Sequence, residues 1–203
     1  MWNEIRRATA QHVAIVAISV VVATAIGIPL GIACVRRRRT GRVVLRIVDV
    51  IQTIPSLALF GFLIPLPFLG GIGMRTAIVA LILYSLLPIV RNTVTGIEGV
   101  DPLIREAAMV MGMTDRQRLM QVELPLALPS IFAGLRIATV LAIGVATIGA
   151  AVGGGGLGTL IFRGVAMVDS TRILGGAVPA ALLALLADLG FGALERRFLT
   201  MTR

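Results

Sequence analysis

His12 is the single imidazole of the chain, so any general base built on histidine would have to be built on it. A nucleophilic serine would be Ser19, Ser56, Ser85, Ser130 or Ser170, and none of them has an evident base partner. No cluster of His, Cys, Asp or Glu has metal-ligand spacing. Cys34 is the only cysteine, which leaves neither a disulfide framework nor a thiolate metal site. Gly153, Gly155 and Gly158 satisfy G-x-G-x-x-G, but they follow a long apolar run and no strand. They are read as a tight turn or a re-entrant segment sheltered by protein. No G-x-x-x-x-G-K-[ST] exists, and a chain without lysine cannot contain one. The chemistry to expect is binding and passage, not catalysis.

Polar side chains inside apolar runs are costly and mark pathways. Gln52, Thr53 and Ser56 form one such set, and Pro55 among them frees a backbone carbonyl in the preceding turn. Tyr84, Ser85, Thr139 and Thr147 are further candidates, although a Ser or Thr also bonds back to its own helix. Asp188 is the one acid well inside an apolar run. It is expected to pair with an arginine such as Arg196 or to lie close to water, in a structural role.

These residues sit in an unusual chain. Of 203 residues 57% are hydrophobic and 14% charged, with a mean hydropathy of +0.97. A soluble domain carries about 25% charged residues. The apolar residues here form long unbroken runs, which excludes a soluble globular protein. The expected fold is all-α, a single polytopic membrane domain over 1–203 with five spans at about 13–35, 47–69, 76–90, 131–152 and 174–194. The first covers about 35 Å, enough for a hydrocarbon core of about 30 Å. The third is short and needs shelter from protein at one end.

All 19 basic residues are arginine, against 10 acids. If the loop with Arg36, Arg37, Arg38, Arg39, Arg42 and Arg46 is cytoplasmic, the N-terminus lies outside and the C-terminus inside. The arginines at 91, 105, 116, 118, 136, 196, 197 and 203 then fall on the cytoplasmic side too. Only those at 6, 7, 75, 163 and 172 fall outside. The positive charge thus has a topological use, and nucleic acid is not expected as a partner.

The loop over 91–130 carries the densest local signals. Asp101-Pro102 is an N-cap followed by proline at the first helical position, and predicts a helix over Leu103–Met111. Gly112 stops it, and Thr114-Asp115-Arg116-Gln117 has capping-box spacing for a second helix. Pro125 and Pro129 are expected to break the chain before the fourth span. On the first helix Glu106, Ala107 and Ala108 set one acid beside two small side chains, with Met109, Met111 and Met113 as adaptable apolar neighbours. Such a helix suits a partner's groove or the membrane surface.

Glu106-Ala107-Ala108, Gly112 and Val122-x-Leu124-Pro125 at this spacing resemble the EAA loop of binding-protein-dependent ABC importer permeases. The family favours isoleucine where this chain has Val122. The stretch Gln52–Leu59, the stretch Leu87–Thr93, and Ala146–Gly153 with Gly155–Gly158 resemble the glycine betaine/carnitine/choline branch. The resemblance implies a five-span, methionine-permease-like type I importer core. In it Glu106, Ala107, Ala108, Gly112, Leu124 and Pro125 couple to the ATPase. The path would run by Gln52, Thr53, Pro55, Ser56, Tyr84, Thr139 and Thr147.

The implied partners are two ATP-binding cassette subunits, which carry ATP and Mg, a second permease chain, identical or paralogous, and lipid. An extracytoplasmic substrate-binding protein completes the set. Because the chain stops at Arg203, that binding protein is expected to be separate. No cofactor is expected on this chain. With one Trp, one Tyr and seven Phe, an aromatic cage for a quaternary ammonium is not expected here either. Rival readings are a methionine-type permease, disfavoured by Gln52–Leu59, and a secondary transporter or channel, disfavoured by the lack of internal repeats.

Overall fold

A computed structural model of the chain describes residues 1–66 and 70–201. The far end of the second expected span, at 67–69, and Arg203 of the arginine tally lie outside the described residues. Among the described residues nine α-helices follow in order: α1 (Trp2–Arg36), α2 (Arg38–Thr53), α3 (Ser56–Leu63), α4 (Met74–Glu98), α5 (Pro102–Val110), α6 (Asp115–Arg118), α7 (Leu124–Gly149), α8 (Leu157–Met167) and α9 (Ser170–Met201). A π-helical turn, Leu119–Glu123, joins α6 to α7, and a 3-10 turn, Ala150–Val152, caps α7. No strand occurs among the described residues.

Among the described residues four helical runs are long and apolar enough to cross a bilayer: Trp2–Arg36, Met74–Glu98, Asp115–Val152 and Ser170–Arg197. The α2–α3 pair makes a fifth if counted as one broken span. The second apolar run is thus two helices meeting at 103° between Thr53 and Ser56. The cause is Pro55, whose ring pushes Ile54 out of the helical region to φ −70°, ψ 124°.

α4 is the central helix. It packs along α1 on one side and α7 on the other, around Ile15, Val20, Phe60, Ala77, Ala80, Leu81, Ala142 and Ala146. Close approach of α1 and α4 depends on Gly27 and Gly31. A Cβ there would fall 2.8 Å from Ile89 Cγ2 and 2.7 Å from Thr93 Cβ. These small-residue positions therefore pack within the chain.

α4 also runs past Val90 to Glu98, so the short third span becomes a helix of 25 residues. The polar turn that ended the apolar run is absorbed by neighbours. Asn92 Nδ2 donates to the Pro88 carbonyl at 2.8 Å, and the Ser130 hydroxyl donates to the Asn92 carbonyl at 3.0 Å. Pro125 and Pro129 do not interrupt the chain as expected. Pro125 lies in the first turn of α7, where its missing N–H is harmless, and Pro129 is carried inside the helix. α1 starts well before its apolar run because Ile5 and Ala8 pack against Leu157, Leu160 and Ala180 of α8 and α9.

Candidate functional site

The loop between α4 and α7 folds as its capping residues dictate. The Leu103 amide donates to Asp101 Oδ1 at 2.8 Å and starts α5. Gly112, at φ +79°, ends it in the left-handed region, and the Met113 amide turns back to the Ala108 carbonyl at 3.1 Å. The Gln117 amide then donates to Thr114 Oγ1 at 3.3 Å, while the Thr114 amide donates to Gln117 Oε1 at 2.9 Å. Arg36 of α1 donates to the Asp115 carbonyl at 3.1 Å. That contact places the hairpin at the end of the bundle that carries the arginine block. His12 lies 24 residues earlier on α1, about 36 Å toward the opposite end.

The two faces of α5 differ. Glu106 and Ala107 are exposed, together with Leu103, Met109, Met111 and Val110, the last 87% exposed. Ala108 is 1% exposed, packed inside its own chain. Of the two alanines, then, only Ala107 presents its small side chain outward. Leu124 is half-buried and Pro125 exposed at the base of α7. Arg105 and Arg118, which the sequence marks only as cytoplasmic-side charges, meet Glu123, a residue it does not single out, beneath α5. The available signal was an acid, Glu123, standing one residue before the apolar run of α7.

Gln52, Thr53, Pro55 and Ser56 come together at the α2–α3 break, with Tyr84 beside them. The Tyr84 hydroxyl donates to the carbonyl of Ile54, directly before Pro55, while the Ile51 carbonyl, one turn before Pro55, accepts the Ile54 amide at 3.3 Å. Gln52 and Ser56 are half-buried and Thr53 and Pro55 exposed. Thr139 and Thr147 stand apart, about 12 Å from each other along α7. The hydroxyls of Thr53, Thr139 and Thr147 bond to the carbonyls of Val50, Leu135 and Gly144 at 2.7, 2.8 and 2.7 Å. In this state those three hydroxyls are committed to their own helices.

The glycine segment closes the end opposite the arginine block. Gly153, Gly155 and Gly156 take positive φ, and the Gly156 amide donates to Gln11 Oε1 at 3.1 Å. A Cβ on Gly156 would fall 2.9 Å from His12 Nδ1, so this turn seats directly on buried His12. Asp188 pairs with Arg136 of α7 rather than with Arg196, because Arg136 projects from the facing helix at the same depth.

The chain is similar to known transport proteins. The family described as "Binding-protein-dependent transport system inner membrane component" matches residues 13–200. The glycine betaine/carnitine/choline transport system permease protein OpuCD of Bacillus subtilis (strain 168) is 49% identical, covering 92% of this chain and 80% of that protein. The osmoprotectant import permease protein OsmW of Salmonella typhimurium is 47% identical over 89% of this chain and 85% of its own length. Among solved structures, an inward-facing MetNI methionine ABC transporter chain superposes with a TM-score of 0.89. It is 25% identical, with coverage of 98% and 97%.

Proposed function

This chain belongs to the family of binding-protein-dependent transport system inner membrane components, and we propose that it is the membrane-spanning subunit of an ATP-driven importer for quaternary-ammonium osmoprotectants. Glycine betaine, choline, carnitine and proline betaine define the substrate class. The observation that carries this reading is the α5–α6 hairpin. It holds Glu106, Ala107 and the apolar Leu103, Val110 and Met111 in the open, at the arginine-rich end of a helical bundle. The positive-inside rule assigns that end to the cytoplasm. A short, partly apolar helix there suits a groove on a partner.

In this reading all of 1–203 serves as one permease domain, with the N-terminus outside. Two ATP-binding cassette subunits bind ATP and Mg and receive α5 in a cleft, with Gly112, Leu124 and Pro125 shaping its base. Ala108 serves the site from within, by seating α5 on the bundle. A second permease chain encloses the path with this one, which passes the α2–α3 break at Gln52, Thr53, Pro55, Ser56 and Tyr84. Thr139 and Thr147 line it farther along α7. A substrate-binding protein delivers cargo at the end closed by the glycine turn. Nucleotide binding draws the cassettes together and rocks the bundle as rigid bodies, so that access alternates.

A methionine-type substrate is the second reading, favoured by the TM-score of 0.89. Identity of 49% to an osmoprotectant permease against 25% to the methionine permease decides for the former.

The test is purification of the tagged chain from its own membrane, with its copurifying subunits, into proteoliposomes. ATP-dependent uptake of labelled glycine betaine, choline or carnitine is expected, unaffected by excess L-methionine. Uptake without a copurifying ATPase would make the chain a secondary transporter.

A further inference from the structure

We propose that Arg105 and Glu123 form the joint that converts displacement of α5 into displacement of α4 and α7 together. The inference rests on the importer reading and names positioning residues for it.

The covalent connections alone are soft. α5 is tied to α4 through Gly99, Val100 and Asp101, and to α7 through a glycine turn, a one-turn helix and a π turn. Arg105 bridges both gaps. Its Nη2 donates to the carbonyl of Ile97, in the last turn of α4. Its Nε lies 3.5 Å from Glu123 Oε1, on the π turn that opens α7, an ion pair at charge-contact distance without a hydrogen bond. The same carboxylate oxygen meets Arg118 Nε at 3.4 Å, and Arg118 Nη2 donates to Asp115 Oδ1 at 2.8 Å. Asp115 in turn accepts Arg36 of α1 on its carbonyl. Arg105 of α5 and Arg118 of α6 thus share the one Glu123 carboxylate, and through them the network reaches the Ile97 carbonyl of α4 and, by way of Asp115, Arg36 of α1.

The centre of the network, the Arg105–Glu123 pair, is sheltered, while Asp115 at its edge is open to solvent. The Glu123 side chain is 12% exposed. Removing one partner from a sheltered ion pair leaves a charge without compensation, which favours keeping the joint closed throughout a stroke. An exposed pair would yield easily. Position on the helix supports the same division of labour. Arg105 and Ala108 are three residues apart on the inward face of α5, while Leu103, Ala107 and Val110 follow helical spacing on the outward face. One face receives the push and the other holds what must be moved. The π turn at the same place is a type of backbone irregularity found at functional sites.

The test compares wild type, E123Q, E123D, R105Q and the double variant R105Q/E123Q in the full complex, reading uptake per ATP hydrolysed and copurification of the ATPase. E123Q is expected to lower uptake per ATP on the order of tenfold while the ATPase still copurifies. E123D, which keeps the charge, retains most coupling. The double variant is no worse than the poorer single variant, because both act through one contact. Should E123Q fail to accumulate, R105Q carries the test, since it leaves Glu123 paired with Arg118. Wild-type uptake per ATP in E123Q or R105Q, with or without a lower thermal midpoint, overturns the joint alone. A wild-type preparation without ATPase or ATP-dependent uptake overturns the importer reading and the joint with it.

Discussion

Arg136 on α7 holds Asp188 on α9 with two hydrogen bonds, Nε to Oδ1 at 2.6 Å and Nη2 to Oδ2 at 2.8 Å. Glu195, two turns further along α9, lies 3.5 Å from Arg136 Nη1. A Cβ on Gly192 would fall 3.4 Å from the same guanidinium, so α9 passes close to it. α9 buries few of its side chains within the chain, and this forked pair fixes its register on α7. Asp188→Asn is therefore expected to lower the thermal midpoint of the purified chain more than Asp49→Asn, which removes a forked pair whose carboxylate is no more exposed but whose partner, Arg91, is the more exposed guanidinium. Arg136→Gln alone is expected to cost at least as much as Asp188→Asn, because it takes the guanidinium away from both Asp188 and Glu195. Equal midpoints for Asp188→Asn and Asp49→Asn would show that α9 is held by other contacts.

The α1–α4 contact has no room for a methyl group at Gly31. Gly31→Ala is expected to cost about 1–3 kcal/mol, the usual range for overpacking a close contact. Gly144→Ala on α7, where a Cβ meets nothing within 4 Å, is the matched control and should change little. Thermal unfolding of both variants in one detergent decides between them.

At the α2–α3 break the Tyr84 hydroxyl is the donor to the Ile54 carbonyl. Tyr84→Phe keeps the ring and removes the donor. A loss of about 1 kcal/mol is expected, the lower end of the range for an acceptor left without its partner, because the Ile54 carbonyl is part-buried. Protease sensitivity of the peptide around Pro55 should rise in parallel. An unchanged midpoint and unchanged cleavage would mean that another group takes over the carbonyl.

Gly112 is a conformational requirement, since its φ is +79° and nothing crowds it. Gly112→Ala is expected to destabilise the hairpin by about 1–2 kcal/mol, and Gly112→Asn by less, because asparagine enters the left-handed region more readily. Amide exchange of α5, read by mass spectrometry, should speed up in the alanine variant first.

Val110 is 87% exposed and contributes almost nothing to the fold of the free chain. Val110→Asp is expected to leave the thermal midpoint of the chain in place. Recovery of the ATPase in pull-downs should fall on the order of tenfold, as for an interface anchor. Full recovery of the ATPase would put the contact elsewhere on the hairpin.

The hairpin was legible because its signals are local. Asp101-Pro102, Gly112 and Thr114-x-x-Gln117 specify caps through hydrogen bonds that span two to five residues, and such bonds form whatever the rest of the chain does. The long apolar runs were legible for a similar reason, since a bilayer accepts a helix on length and composition alone. Pro55 signalled a disturbed backbone at its own position, but not that the run would turn by 103° there.

Only the tertiary structure decided what neighbours determine. Glycine spacing in α1 did not say that Gly27 and Gly31 seat against Ile89 and Thr93, because that requires the α1–α4 crossing. Asp188 chose Arg136 across a helix interface rather than Arg196 on its own helix, and Ala108 turned inward while Ala107 stayed out. α4 outlasted its apolar run because Ser130 covers the Asn92 carbonyl from a helix 38 residues away. Local hydrogen bonding and solvent preference are written along the chain. Side-chain partners depend on which helices come within a few ångströms of each other, and that is a property of the packed bundle.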